Sequence, residues 1–94
     1  MSVRLDQWVS IKPDVLATEV DDSAVLLDIE SGRYFGFDPV GSDIWTRIAQ
    51  PQQVDALCHD LAQRYDAPID RIRAGVLDFL ADLAAKGLIV VRAE

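Results

Sequence analysis

Cys58 and His59 are the residues of this chain with the types needed for covalent chemistry: a thiol beside an imidazole, the pair from which a cysteine nucleophile and its general base are drawn. Their spacing works against it. Neighbours on a helix point about 100° apart, so the two side chains do not meet. Cys58 also falls in an apolar stripe, where a free cysteine behaves as a small hydrophobe. They are the only cysteine and the only histidine, and one of each falls short of a zinc ligand set. Asp78 and Asp82 lie one turn apart on a helical segment, but nothing marks them as an acid–base pair, and a solvated face accounts for them. Gly32, Gly36 and Gly41 do not form a loop that could cradle phosphate. The chain is expected to have no catalytic residue, no metal and no cofactor.

The composition narrows the classes that remain. Ninety-four residues, half of them hydrophobic, make one domain with one core. A chain this short buries only about 60–65% of its unfolded surface. A net charge of −7 and a pI near 4.4 argue against nucleic acid, which needs a basic footprint. A single cysteine cannot make an internal disulfide and fits a reducing cytoplasm. The first residues lack a charged leader followed by an apolar run, and no window approaches a membrane span. A cytoplasmic protein with no membrane partner is expected.

The elements that must position any binding site follow from periodicity. Residues 1–12 carry Val3, Leu5, Trp8, Val9 and Ile11 between polar residues and read as a short strand or arm, closed by Pro13-Asp14. Residues 15–20 and 23–29 are β-prone runs joined through Asp21-Asp22; Val25, Leu27 and Ile29 alternate onto one face and are expected to point inward. Glu30-Ser31-Gly32 makes the next turn, with Gly32 available for a positive φ. Residues 33–37 complete a three-stranded antiparallel meander. Asp38-Pro39 then opens a helix, as N-cap and first-turn proline. Its buried stripe is Val40, Ile44, Trp45 and Ile48, and Gln50-Pro51 ends it. Gly41 in its first turns predicts close approach of another backbone, that of the third strand. Val54, Leu57, Cys58, Leu61 and Tyr65 define a second helix. A third starts at Ala67-Pro68, runs to Lys86 and stops at Gly87, before the β-prone Leu88-Ile89-Val90-Val91. The fold class is α+β: a three-stranded antiparallel sheet followed by a three-helix, winged-helix-like bundle.

On the third helix, Ile69, Ile72, Val76, Phe79, Leu80 and Leu83 fall within one arc, the core face. Leu77 lies off that arc, near Arg73, Ala84, Asp70 and Ala81. It either packs on the first helix or the arm, or forms one wall of a groove. The strand at 33–37 is aromatic on both sides of Gly36. As the outer strand it presents unpaired N–H and C=O groups, and an apolar wall beside it suits β-augmentation by an extended peptide. The other possibility is that residues 1–12 cover this edge, since an exposed aromatic edge is usually protected or used.

Two blocks resemble a known family, the PqqD-like peptide chaperones or RiPP recognition elements. The first is residues 25–45, with Asp28-Ile29-Glu30-Ser31-Gly32-Arg33-Tyr34 at the hairpin and Asp38-Pro39-Val40-Gly41 opening the helix. The second is residues 76–89, ending Ala85-Lys86-Gly87-Leu88-Ile89. Residues 54–65 resemble the family's middle helix, and the likeness spans roughly residues 12–89. It implies residues 1–12 as an arm or short strand and 13–94 as one PqqD-like peptide-binding domain. It also implies a protein without catalytic activity that binds the leader of a ribosomally made precursor peptide and presents it to a modifying enzyme or leader protease. In that family the leader lies antiparallel to the third strand, against the third helix. Carried over, the strand contacts are Arg33, Tyr34, Phe35, Gly36 and Phe37, and the helix contacts Arg73, Ala74, Leu77 and Ala81. The Ser31-Gly32-Arg33-Tyr34 turn resembles standalone lasso-peptide members, which work with a separate leader peptidase. Members devoted to pyrroloquinoline quinone tend to differ there. The runner-up is a peptide chaperone of pyrroloquinoline quinone or other modified-peptide biosynthesis, ahead of a winged-helix nucleic-acid binder or a dimerisation module. A monomer or weak dimer is expected.

Overall fold

The computed structural model describes residues 3–20, 23–29 and 31–93. The expected turn residues Asp21, Asp22 and Glu30 lie outside the described residues. Four strands come first: β1 (Trp8–Ile11), β2 (Val15–Val20), β3 (Ser23–Asp28) and β4 (Arg33–Gly36). They are followed by α1 (Pro39–Arg47), β5 (Gln52–Gln53), α2 (Val54–Tyr65), α3 (Ile69–Ala85) and β6 (Ile89–Arg92). No helix among the described residues is long and apolar enough to cross a membrane.

The expected meander is present as an antiparallel sheet in the order β2-β3-β4, with Leu26 opposite Phe35 and Leu27 opposite Tyr34. Gly32 has φ +72° and donates its N–H to the Asp28 carbonyl at 2.8 Å, closing the hairpin. Which face of β3 points inward differs from the sequence reading. Leu26 is fully buried and Asp28 nearly so, whereas Ile29 is 56% exposed and Val25 and Leu27 are half-buried. Val25, Leu26 and Leu27 are all apolar, so alternation could not choose a face. Pairing with Phe35 puts Leu26 on the side that meets the helices.

A second antiparallel sheet, β5-β1-β6, was not anticipated. Trp8 pairs with Arg92 and Ile11 with Ile89, so the N-terminal run and the last β-prone run complete each other. Residues 8–11 are therefore part of the body and do not cover β4. The segment before β1 has a further task. Gln53 offers α2 no side-chain cap, and the Leu5 and Gln7 carbonyls accept from Asp55 N–H (3.0 Å) and Val54 N–H (2.9 Å). These are donors that a helix start leaves without intrahelical partners.

The helix limits follow the residues that set them. Asp38 Oδ1 accepts from Gly41 N–H at 2.7 Å, with Pro39 in the first turn. Replacing Asp38 with Ala should lower stability by about 1 kcal/mol, measured as a drop in the urea midpoint with unchanged slope. A shift near zero would mean that the cap contributes nothing. Helix α3 ends in a Schellman motif: Gly87 at φ +73° donates to Ala84 O (3.1 Å) and Leu88 to Leu83 O (3.0 Å). The core lies between the sheets and helices, around Leu26, Ile48, Leu57, Leu61, Leu80, Leu83 and Leu88.

Candidate functional site

A cleft of about 620 Å³ opens between β4 and α3. Its strand side is Tyr34, Phe35, Gly36 and Phe37, four of the five strand residues expected; Arg33 stands just beyond them. Strand β4 pairs with β3 and, among the described residues, with no other strand, so its outer N–H and C=O groups face the cleft side unpaired. Tyr34 is 73% exposed.

The floor is aromatic and aliphatic. Phe37 meets Phe79 edge-on at 5.2 Å and Trp45 at 5.8 Å, which ties the end of the strand to α3 and α1. Ile44, Leu61 and Val76 continue the floor. The close approach at Gly41 is explained here, although by side chains rather than a strand backbone. A Cβ at Gly41 would lie 3.2 Å from Phe79 Cζ, 3.2 Å from Asp38 Oδ1 and 3.3 Å from Phe37 Cβ.

The helix side is a stripe of Ile72, Gly75, Phe79, Asp82 and Lys86, recurring every three or four residues. Lys86 Nζ bonds Asp82 Oδ2 at 2.8 Å and sits 5.5 Å from the Phe35 ring centre, bridging the two walls. Asp82 is thus held by Lys86 rather than coupled to Asp78. At the far end, Tyr65 of α2 and Val40, the latter expected in the buried stripe of α1, line the cleft and are substantially exposed. Tyr65 donates its hydroxyl to Asp43 Oδ2 at 2.7 Å, and Arg47 Nε donates to Asp43 Oδ1 at 3.0 Å. The hydrogen bond to Asp43 chiefly, with some desolvation, raises the Tyr65 pKa above its ordinary 10.0.

The expected helix wall is elsewhere. Arg73, Ala74, Leu77 and Ala81 do not line this cleft; they lie on the opposite flank of the core arc. Arg73 donates to Asp55 Oδ1 of α2 at 3.0 Å, Leu77 and Ala81 pack against the core, and Ala74 is exposed. Both flanks of the arc border the core equally on a helical projection. The large Leu77 marks the flank that α2 covers, while the cleft flank holds a glycine. The mid-helix Gly75, the Asp82–Lys86 spacing and Phe79 at the arc's margin were the available signals.

Cys58 and His59 diverge as their spacing requires. His59 Nε2 lies 3.7 Å from Asp55 Oδ2 on the surface, and Cys58 is fully buried. Among the described residues no group of three or more His, Cys, Asp and Glu could hold a metal ion. Burial, with a lesser contribution from the Asp55 charge and against the Arg73 charge, pushes the Cys58 thiol from its ordinary 9.0 up to about 11. The unfolded thiol ionises first, so this contribution to stability is whole below pH 9 and is lost as pH rises toward about 11. The native thiol should therefore resist an aromatic disulfide reagent at pH 8 and react promptly in urea. Fast labelling without denaturant would contradict its burial.

Comparison with known proteins agrees with this architecture. The family model described as "Coenzyme PQQ synthesis protein D (PqqD)" matches residues 23–89. No curated protein matches the chain. The structure of TbiB1 in complex with the TbiA(beta) leader peptide is 31% identical and superposes with a TM-score of 0.80, over 85% of this chain and 93% of that one. The PqqD truncation of Methylobacterium extorquens PqqCD is described as a functional, stand-alone RiPP recognition element. It is 26% identical with a TM-score of 0.74, over 88% of each chain. Lasso peptide synthetase B1 complexed with the leader peptide shares the fold at 18% identity and a TM-score of 0.77, over 87% of this chain and 96% of that one. With two-thirds of its length matched by the family model and its sheet, helices and cleft in this arrangement, the chain belongs to the PqqD family.

Proposed function

We propose that this protein is a non-catalytic, cytoplasmic adaptor that binds the leader of a ribosomally made precursor peptide, of the lasso class, and presents it to a separate leader peptidase or modifying enzyme. The observation that carries the reading is the open edge of β4 facing Ile72, Gly75 and Phe79 of α3 across a cleft. An extended peptide added to β4 would complete its backbone hydrogen bonds, and alternate side chains would enter the cleft. The strand contacts are Arg33, Tyr34, Phe35, Gly36 and Phe37. The helix contacts are Ile72, Gly75, Phe79 and Lys86, in place of Arg73, Ala74, Leu77 and Ala81. Leu5 and Gln7 support the start of α2, and residues 13–94 together with β1 form the peptide-binding domain. We read the helices with β5 and β6 as winged-helix-like in arrangement but without the basic recognition face that nucleic acid needs.

The leader-bound state of TbiB1, 31% identical over most of both chains, supports the ligand class. The Ser31-Gly32-Arg33-Tyr34 turn, which resembles standalone lasso-peptide members, supports the lasso assignment. A second reading, a role in pyrroloquinoline quinone formation, is favoured by the description of the family model. Calorimetric titration with the leader of the precursor encoded beside this chain tests the proposal. Saturable heat at micromolar affinity or tighter supports it. Absence of heat, together with no shift in thermal stability, would overturn it.

A further inference from the structure

The chain has sixteen Asp and Glu against nine Lys and Arg, so a cation here has carboxylates to spare. Four of the nine cations use them among the described residues. Arg4 pairs with Asp6, Arg47 with Asp43, Arg73 with Asp55 and Lys86 with Asp82. Arg64 lies over the Tyr65 ring, and Lys12 also has an interaction. Arg33, Arg71 and Arg92 carry no ion pair among the described residues. Arg92 belongs to the other sheet. The remaining two stand at opposite ends of the cleft.

Their placement follows from how β4 and α3 run. Phe35 meets Lys86, and Phe37 meets Phe79, so strand and helix are antiparallel. Arg33 is four residues before Phe37, and Arg71 is eight residues before Phe79 and lines the cleft. On either side of the Phe37–Phe79 contact this gives a span of roughly 25 Å, about seven residues of extended chain. Arg71 also sits in the first turn of α3, where the helix dipole favours an anion. The β2-β3-β4 sheet is antiparallel throughout, and antiparallel pairing is the more stable per residue. A strand added in that sense starts beside Arg71 and ends beside Arg33.

Resting on the peptide-binding reading, we infer that Arg71 and Arg33 are charge clamps selecting a peptide with an acidic residue at each end of its augmenting segment. The first acid meets Arg71, the second lies about seven residues later and meets Arg33, and apolar side chains between them fill the cleft. Exposed charges of this kind act through encounter rate and register more than through depth of binding. Arg71 is exposed on the helix surface, so reversing its charge leaves the core untouched.

The test is selection of a displayed library of random twelve-residue peptides against the wild-type protein, Arg71→Glu and Arg33→Glu. For the wild type we expect Asp or Glu before and after an apolar segment. Arg71→Glu should change only the N-terminal acid to Lys or Arg, and Arg33→Glu only the C-terminal one. For one selected peptide, Arg71→Glu should weaken binding at least about fivefold at low salt, with recovery when the peptide's first acid becomes Lys. If all three proteins enrich the same peptides, the clamps are overturned while peptide binding stands. If wild type and Arg71→Glu differ at the C-terminal end instead, the polarity is overturned. If the wild type enriches nothing, the peptide-binding reading falls and the clamps with it.

Discussion

Gly75→Phe should abolish peptide capture while leaving the fold as stable as before. Gly75 sits in the middle of α3, where glycine is less favourable than alanine by about 1 kcal/mol. Neither its backbone nor its packing demands it: its φ is not positive, and a Cβ built there meets nothing within 4 Å. What the missing side chain leaves is room, because Gly75 lines the cleft opposite β4. A phenyl ring there would stand where an occupant's side chain must go and could not sink into the well-packed floor. We expect affinity for a leader peptide to fall by about a hundredfold or more, the scale of about 3 kcal/mol of steric conflict. The smaller change, Gly75→Ala, should raise stability by about 0.5–1 kcal/mol through helix propensity alone. Thermal unfolding and peptide titration on both variants separate the two effects. Full affinity in Gly75→Phe would mean that the ligand does not use this cleft.

The second large effect concerns stability and decides which face of β3 is inward. Leu26→Ala should destabilise by about 2–5 kcal/mol, the range for a buried leucine whose cavity cannot fully collapse. Leu26 is fully buried opposite Phe35, in the layer between the sheet and the helices. Ile29→Ala, at 56% exposure, should change stability by no more than about 0.5 kcal/mol. For a domain of this size the first variant should melt well below the wild type and the second almost with it. The alternation of Val25, Leu27 and Ile29 taken alone predicts the reverse order. Equal losses in the two variants would mean that both faces of the strand are covered.

What was legible in the chain was mostly local. The hairpin at Gly32, the Asp38 cap with Pro39 and the left-handed stop at Gly87 follow from residues a few positions apart, and the structure agrees. Two helix limits do not: α1 ends at Arg47, before the expected Gln50-Pro51, and the start of α2 is held by the distant Leu5 and Gln7 carbonyls. Like the hairpin, the β2-β3-β4 meander was legible locally. The sheet joining β1 to β6 was not. Its strands lie some eighty residues apart in sequence, and nothing in either run names the other. Neither was the inward face of β3, where three consecutive apolar residues erase the alternation.

The candidate site divides the same way. Its strand wall was readable, because an aromatic run after a tight turn that leads into a capped helix leaves few places for β4. Its helix wall was not, because choosing a flank of α3 requires knowing where α2 packs. The Arg73–Asp55 pair gives one flank to α2 and leaves Gly75 and Phe79 facing the strand. Val40 and Tyr65 extend the apolar stripes of α1 and α2, and the stripe of α1 predicts burial for Val40. They are better understood as the part of those stripes that the cleft, rather than the interior, uses.

The most direct test of the central claim is amide chemical-shift mapping of the uniformly 15N-labelled protein during titration with a leader peptide. Peptide addition to β4 across the cleft predicts the largest changes at residues 34–37 and at Ile72, Gly75 and Phe79, with slowed amide exchange along the strand. Changes centred on Arg73, Ala74, Leu77 and Ala81, with β4 unaffected, would place the ligand on the other side of α3 and contradict the account.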